Sequence, residues 1–409
     1  MSRWWMGRWG VRDNQEKLYS LFPFLLVFYE ITNYLANDMY LPALPHLAAD
    51  LSIPTHLAQQ TLTAWFLGTT SLQLILGPFS DRFGRRLVLL GGGVVFIIST
   101  IICALTANIQ VLLTARFFQG CAICTIGTAG YSSIHEIFDR IKAIKILAVM
   151  GSITVLAPAF GPLLGAVLLQ WLNWRWIFGV LAIWAIVGVS LLWLFMPESN
   201  PKEKRQAFDG RVLLKNYVAI LCNTKFMLNT LIFCATFLGA IAWIAAGPFL
   251  VITEFKYSTL AFGIFQALIF GNLILGAQVV KHTIDRRGPD RLINIGLIIV
   301  LCSGVLALLL TIIFPHFLFG LIISLMMFMF GSSLAFGPAT RIAIEACKEP
   351  MGARMAIFST LMGLFGVIGG LLASFTYTGT LLWFGVLLFV ISCLACLARW
   401  WVEVIKARE

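Results

Sequence analysis

Two carboxylic acids, Glu30 and Asp38, lie inside the first long apolar stretch, residues 18–44, where nearly every other side chain suits lipid. An acid at bilayer depth costs about 2.5–3.5 kcal/mol on insertion scales, so it asks for a reason: an ion path, a proton relay or a substrate site. On a helix the two acids are separated by about 12 Å of rise and about 80° of rotation, so they can face one cavity at two depths. A third ion, Arg116, falls in a later apolar stretch that runs the opposite way, at a depth matching Asp38. An intramembrane guanidinium needs an anion or a ring of acceptors. We therefore expect Arg116 to interact with Asp38 when Asp38 is ionised. Burial favours the neutral carboxyl and a nearby guanidinium favours the charged one, so the proton affinity can change as a cavity opens and closes. Glu30, deeper and without an obvious base, suits contact with a cationic substrate and can carry a second proton.

The elements that hold these residues follow from composition. Of 409 residues 60% are hydrophobic and only 11% charged, with mean hydropathy +0.91, against roughly 25% charged in soluble domains. Apolar runs exceed the roughly 18 residues a spanning helix needs and do not alternate polar with apolar, which predicts an all-α integral membrane protein rather than a barrel. Twelve spans can be drawn, near 18–45, 56–79, 87–106, 109–134, 143–170, 174–196, 226–252, 259–280, 291–313, 316–340, 351–374 and 379–401. The polar stretch 197–225 divides them six and six. The expected organisation is a cytoplasmic segment 1–17, a first bundle 18–196, a cytoplasmic central loop 197–225, a second bundle 226–402 and a cytoplasmic tail 403–409.

Orientation comes from the bases. Of the 29 Lys and Arg, 26 fall on segments at one face; Arg175 and Lys256 lie on the other and Arg116 within a span. The positive-inside rule then places both termini and the central loop in the cytoplasm. Because the net charge of +11 is spread over short loops rather than one soluble face, no nucleic-acid partner is expected. Arg3, Arg8, Arg12 and Lys17 precede an apolar core as in a signal peptide, but that core runs too long and lacks a small-residue cleavage site, so it reads as an uncleaved first span. Trp171, Trp174 and Trp176 fit an outer aromatic belt. Cys121/Cys124 and Cys393/Cys396 have C-x-x-C spacing but sit inside apolar runs, where they read as packing residues. The five His, at 46, 56, 135, 282 and 316, are scattered, so neither a metal site nor an enzyme is expected, and no cofactor.

Three stretches carry a resemblance. Gly77-Pro78-Phe79-Ser80-Asp81-Arg82-Phe83-Gly84-Arg85-Arg86 follows the second span, with a degenerate echo, Asp285-Arg286-Arg287-Gly288, after the eighth. Arg116-Phe117-Phe118-Gln119-Gly120 lies in the fourth span, and Ala157-Pro158-Ala159-Phe160-Gly161-Pro162-Leu163-Leu164-Gly165-Ala166 in the fifth. At these residues the chain resembles the drug/proton antiporters of the major facilitator superfamily, over essentially its full length. Ala166 stands where many members have Gly. Asp38-Met39-Tyr40-Leu41-Pro42-Ala43-Leu44-Pro45 is similar to the Bcr/CflA drug exporters within it. The resemblance implies the major facilitator fold, two pseudo-symmetric six-helix bundles, and a division of substrate and proton work among Glu30, Asp38 and Arg116 that it does not itself settle.

It also implies a gate on the basic face: Asp81 near the start of the eleventh span, with Arg82, Arg85 or Arg86 near Glu136 and Asp139. Gly77 and Gly84 complete that motif. In the fifth span Pro158, Gly161, Pro162 and Gly165 remove backbone bonds and bulk, which permits a kink and a tight helix contact. Gly247-Pro248 and Gly337-Pro338 are candidate breaks in the second half. Tyr34, Asn37, Gln119, Tyr131, Met150, Trp243 and Phe249 are candidates to line a drug-sized site with Glu30. The function expected is an antiporter exporting lipophilic, often cationic compounds across the bacterial inner membrane in exchange for protons, with lipid around it, as a monomer. The alternative is a proton-coupled carrier for one metabolite or siderophore.

Overall fold

A computed structural model describes residues 6–201, 203 and 210–407, and their side chains from residue 21 onward except at 140, 144, 148 and 152–155. Among these residues sixteen α-helices form and no strand does. The first half comprises α1 (Met6–Asp38), α2 (Leu44–Asp50), α3 (Thr55–Ser71), α4 (Gln73–Phe83), α5 (Arg85–Leu105), α6 (Ile109–Thr125), α7 (Tyr131–Ile137), α8 (Arg140–Leu168) and α9 (Trp174–Phe195). A connecting helix, α10 (Gly210–Leu221), precedes the second half: α11 (Thr224–Pro248), α12 (Thr259–Arg287), α13 (Pro289–Ile313), α14 (Leu318–Glu345), α15 (Met351–Thr376) and α16 (Leu381–Lys406). Nine helices among the described residues are long and apolar enough to cross a membrane, and the two limbs of α8, bent by 41°, make a tenth. The other two expected spans correspond to α1 and to the pair α3 and α4, interrupted at Leu72.

Several boundaries differ from the sequence expectation, each for a backbone reason. The helix of the first span stops at Asp38 rather than near residue 45, because Pro42 has no N–H to give the Asp38 carbonyl; a 3₁₀ turn, Leu41–Ala43, follows. The bend in α8 lies between Gly151 and Leu156, preceding Pro158. Helix α11 ends at Pro248 and passes into a π segment, Phe249–Glu254, but α14 runs on through Pro338 without a break. The stretch between the halves is not only loop, since it contains α10. The echo of the loop motif is structural as well: Gly84 (φ 102°) turns α4 into α5 and Gly288 (φ 73°) turns α12 into α13. Both adopt a backbone that side chains with a Cβ avoid.

Small residues set the crossings. A Cβ on Gly68 would lie 2.0 Å from the Phe117 carbonyl oxygen, and one on Gly120 would lie 2.0 Å from that of Trp65, so α3 and α6 touch backbone to backbone. Between the halves, Thr63, Phe66 and Thr70 of α3 seat against Gly370, Gly366 and Gly363 of α15, and Leu163 of α8 against Gly263 of α12. Close approach of this kind drives helix association in lipid, where apolar burial alone gives none. At the end away from the basic loops, the turn after α1 and helix α2 pack on elements of the second half. At the basic end a cavity of about 720 Å³ lies among α11, α14 and α15, lined by Phe233, Phe336, Thr340 and Arg354.

Candidate functional site

Arg116 is fully buried on α6 and is met by acceptors from three helices. It donates to the Ala36 carbonyl (2.9 Å), to Gln119 Oε1 (2.5 Å), to Asn37 Oδ1 (3.2 Å) and, through Nε, to the Thr61 carbonyl (3.4 Å). The guanidinium carbon lies 4.4 Å from the Tyr40 ring centroid. Ala36 belongs to the last turn of α1, whose carbonyls lack helical donors and whose dipole favours a cation. The ring of acceptors exists because α1 stops at Asp38 and because Gly68 and Gly120 let α6 lie against α3.

Asp38 is buried, 2% exposed, and accepts a hydrogen bond from Asn37 Nδ2 (3.2 Å). Among the described residues no ion pair joins it to Arg116. Asn37 stands between them, its oxygen toward the guanidinium and its amide toward the carboxyl. Gly161 and Gly165 of α8 close over this turn: a Cβ on the first would lie 2.7 Å from Asp38 Cβ, on the second 1.7 Å from the Met39 carbonyl oxygen. The fifth-span motif thus packs directly on the backbone and Cβ of the Asp38 turn. Gln119 in turn donates to Thr100 Oγ1 (2.7 Å), and Tyr40 and Thr61 share a hydroxyl contact (3.1 Å).

Glu30, 1% exposed, accepts from the Tyr131 hydroxyl at 2.5 Å, and its Oε2 has no protein partner. A π segment, Ile126–Gly130, immediately precedes Tyr131 and advances the register of the helix there. Of the other candidates, Tyr34 is half-buried on α1 and Met150 fully buried on α8. Trp243 and Phe249 pack within the second half instead, Trp243 donating to Gln266 (2.8 Å) and Phe249 facing Tyr377.

The gate residues meet at the basic end. Arg85 pairs with Asp81 (2.5 Å) and Glu136 (2.9 Å), joining α4, α5 and α7, and α4 itself packs against α15. Asp139 accepts from the N–H groups of Ile141 and Lys142 and caps α8; among the described residues no bond joins it to Arg82, Arg85 or Arg86. Arg82 lies over the Phe83 ring, and Arg86 donates to the Trp193 carbonyl. Gly77 has open space beside it. Sequence reasoning missed Glu198, whose two oxygens accept from the backbone N–H groups of Arg85 and Arg86 (2.9 and 3.3 Å), where a helix N-terminus favours an anion. Its signal was an acid directly after Pro197 at the end of an apolar run. At the other face Trp174 is buried and donates to Asp50 beside Arg175, so only Trp171 and Trp176 remain exposed as belt residues. The nine cysteines are free thiols.

Residues 26–370 match the model of the Major Facilitator Superfamily. The chain is 32% identical to the chloramphenicol resistance protein CraA of Acinetobacter baumannii, covering 94% of this chain and 91% of that one. It is 32% identical to the multidrug transporter MdfA of Escherichia coli, covering 88% and 87%. Among solved structures the xylose transporter XylE of E. coli, partially occluded and inward open, superposes with a TM-score of 0.72 at 13% identity, over 94% of this chain and 96% of that one. The buried ions, the paired bundles and these likenesses agree: the chain is a multi-pass membrane protein of the Major Facilitator Superfamily, a family of small-molecule transporters.

Proposed function

We propose that this protein exports lipophilic, often cationic drugs from the bacterial cytoplasm in exchange for protons, as a monomer in the inner membrane with its basic face cytoplasmic. The names of CraA and MdfA support drug export. The observation that carries proton coupling is the Arg116 site: a buried carboxyl without an ion pair beside a guanidinium held by neutral acceptors. Such an arrangement suits a protonated Asp38. Proton loss would create a charge within reach of Arg116 and give the guanidinium cause to leave the Ala36 and Asn37 oxygens, and with them the end of α1. Because α8 lies on that turn and also on α12 of the second half, the change would pass to the contact between the bundles. A substrate entering from the basic end would meet Glu30 and Tyr131, where a carboxylate oxygen without a protein donor can accept a cation.

Transport of a fluorescent organic cation in proteoliposomes, with and without an imposed pH gradient, tests the reading. Asp38→Asn should insert normally and lose gradient-driven export, whereas Glu30→Gln should weaken export of cations more than of neutral compounds. Gradient-independent transport, or full activity of Asp38→Asn, would refute it. Resistance to several unrelated compounds in an efflux-deficient host separates a drug exporter from a carrier of one metabolite or siderophore.

A further inference from the structure

Helix α10 between the two halves has unlike faces. Tyr217 and Ile220 are buried in a cluster with Phe226, Ala353, Ile357 and Phe358 of the second half. Leu214, Val218 and Leu221 are exposed, at 64%, 50% and 44%. At about 100° per residue these three share a stripe about 60° wide, and Arg211 and Lys215 flank it on one side. The helix ends at Leu221, three residues before α11 begins, so the stripe lies at the level where the apolar helices of the basic end start. An apolar stripe edged by Lys and Arg at that depth fits the boundary between headgroups and acyl chains of an anionic leaflet.

The inner face of α10 reaches the first half. The Tyr217 hydroxyl donates to the Leu74 carbonyl of α4 (2.9 Å). In a regular helix that oxygen would accept from the residue four positions on, but here that residue is Pro78, which has no N–H. Tyr217 supplies the missing hydrogen bond from the other half of the chain, close to the interruption at Leu72. The bond therefore ties the least regular part of the second span to a helix that rests on the membrane face.

We propose that α10 is a lipid-seated tie: its outer stripe docks on an anionic membrane surface, and its inner face thereby holds the Pro78 segment of the first half against the second. This goes beyond the transport reading and does not depend on it.

Hydrogen–deuterium exchange of the full chain in nanodiscs tests the tie with no transport step. Discs of phosphatidylcholine are compared with discs containing equal parts phosphatidylglycerol, following residues 210–221 with α13 as internal reference. Helix α10 should exchange about fivefold more slowly in the anionic discs, the effect of one basic residue near such a surface. Lys215→Glu, and separately Leu214→Ser with Val218→Ser, should abolish the difference and leave α13 unchanged. Tyr217→Phe should keep the lipid response of α10 but speed exchange over residues 73–80. Equal exchange in the two discs, or a difference that survives Lys215→Glu, overturns the docking; unchanged exchange over 73–80 in Tyr217→Phe overturns the tie. If the double variant misfolds, faster exchange in α13 reveals it, and Lys215→Glu, a surface change, decides the matter.

Discussion

The deep core of the first half holds an arginine and two acids with amide and hydroxyl partners, whereas the core of the second is crossed by the neutral pair Trp243 and Gln266. Among the described residues, the buried charge of the second half is Arg399, which sits at the basic end with Asp290 and Glu403. Two bundles of similar helices therefore differ in what they can respond to. In the proposed mechanism one half titrates and the other is a neutral wall, so a single proton event can alter their fit without a matching group opposite. The basic ends differ in polarity too. In the first half a cation at the start of α5 meets acids from α4 and α7, with Glu198 capping from beyond α9; in the second an acid at the start of α13 meets a cation from α16.

The sharpest test of this asymmetry is Arg116→Ala. It should abolish transport and lower stability by about 3 kcal/mol or more, because several buried neutral acceptors lose their donor at about 1–3 kcal/mol each, measured by thermal unfolding of the purified protein. Arg399→Ala should cost about 1–2 kcal/mol and retain transport, since Asp290 and Glu403 are about half exposed and can hydrate. Equal losses would erase the distinction between the halves. Next in size is Gly165→Val, which places carbon against the Met39 carbonyl; a cost of about 1–3 kcal/mol is expected, with export lost.

A smaller effect separates the two amide sites. Trp243→Phe strips Gln266 of its donor and should cost about 1 kcal/mol with the pH profile of transport unmoved. Asn37→Leu removes the bridge between Asp38 and Arg116, and should displace the midpoint of that profile. A displaced midpoint in Trp243→Phe would mean that the second half is not neutral in the coupling step. The smallest effect concerns Asp50, at the face away from the basic loops. Hydrogen bonds from Arg175, then Trp174, hold its carboxyl below the usual aspartate range. A lowered folded value contributes stability above the ordinary pKa near 4, and that contribution fades as pH falls through the lowered one. Unfolding temperature should thus drop on acidification below about pH 4 more in the wild type than in Asp50→Asn.

Much of the site was readable residue by residue. Glu30, Asp38 and Arg116 announced themselves by charge at apolar depth, and Gly161 and Gly165 by the resemblance of the fifth-span stretch to a family motif. The partner of Arg116 was not, because a long side chain selects its acceptors only after the helices have crossed. Asn37 as the bridge and Tyr40 as the covering ring both depend on α1 ending at Asp38; Pro42 carried that signal, but the apolar run continues past it. Helix α10 was hidden because its short apolar stripe is interrupted by Arg211, Lys215 and Asn216 within a polar stretch. Trp174 seemed a belt residue since composition cannot tell which way an indole near a span end turns; the Asp50 carboxylate decided it.

From the sequence alone follow a membrane-embedded helical chain and three ions at spanning depth, because lipid solvates neither backbone nor charge and the pattern of apolar runs records that constraint. Tertiary structure alone decided that Arg116 rests on the carbonyl end of α1 and on Asn37, and not on Asp38 itself. That choice is made by the contact of Gly68 and Gly120, which fixes how deep α6 sits against α3, and by packing that sequence spacing does not specify.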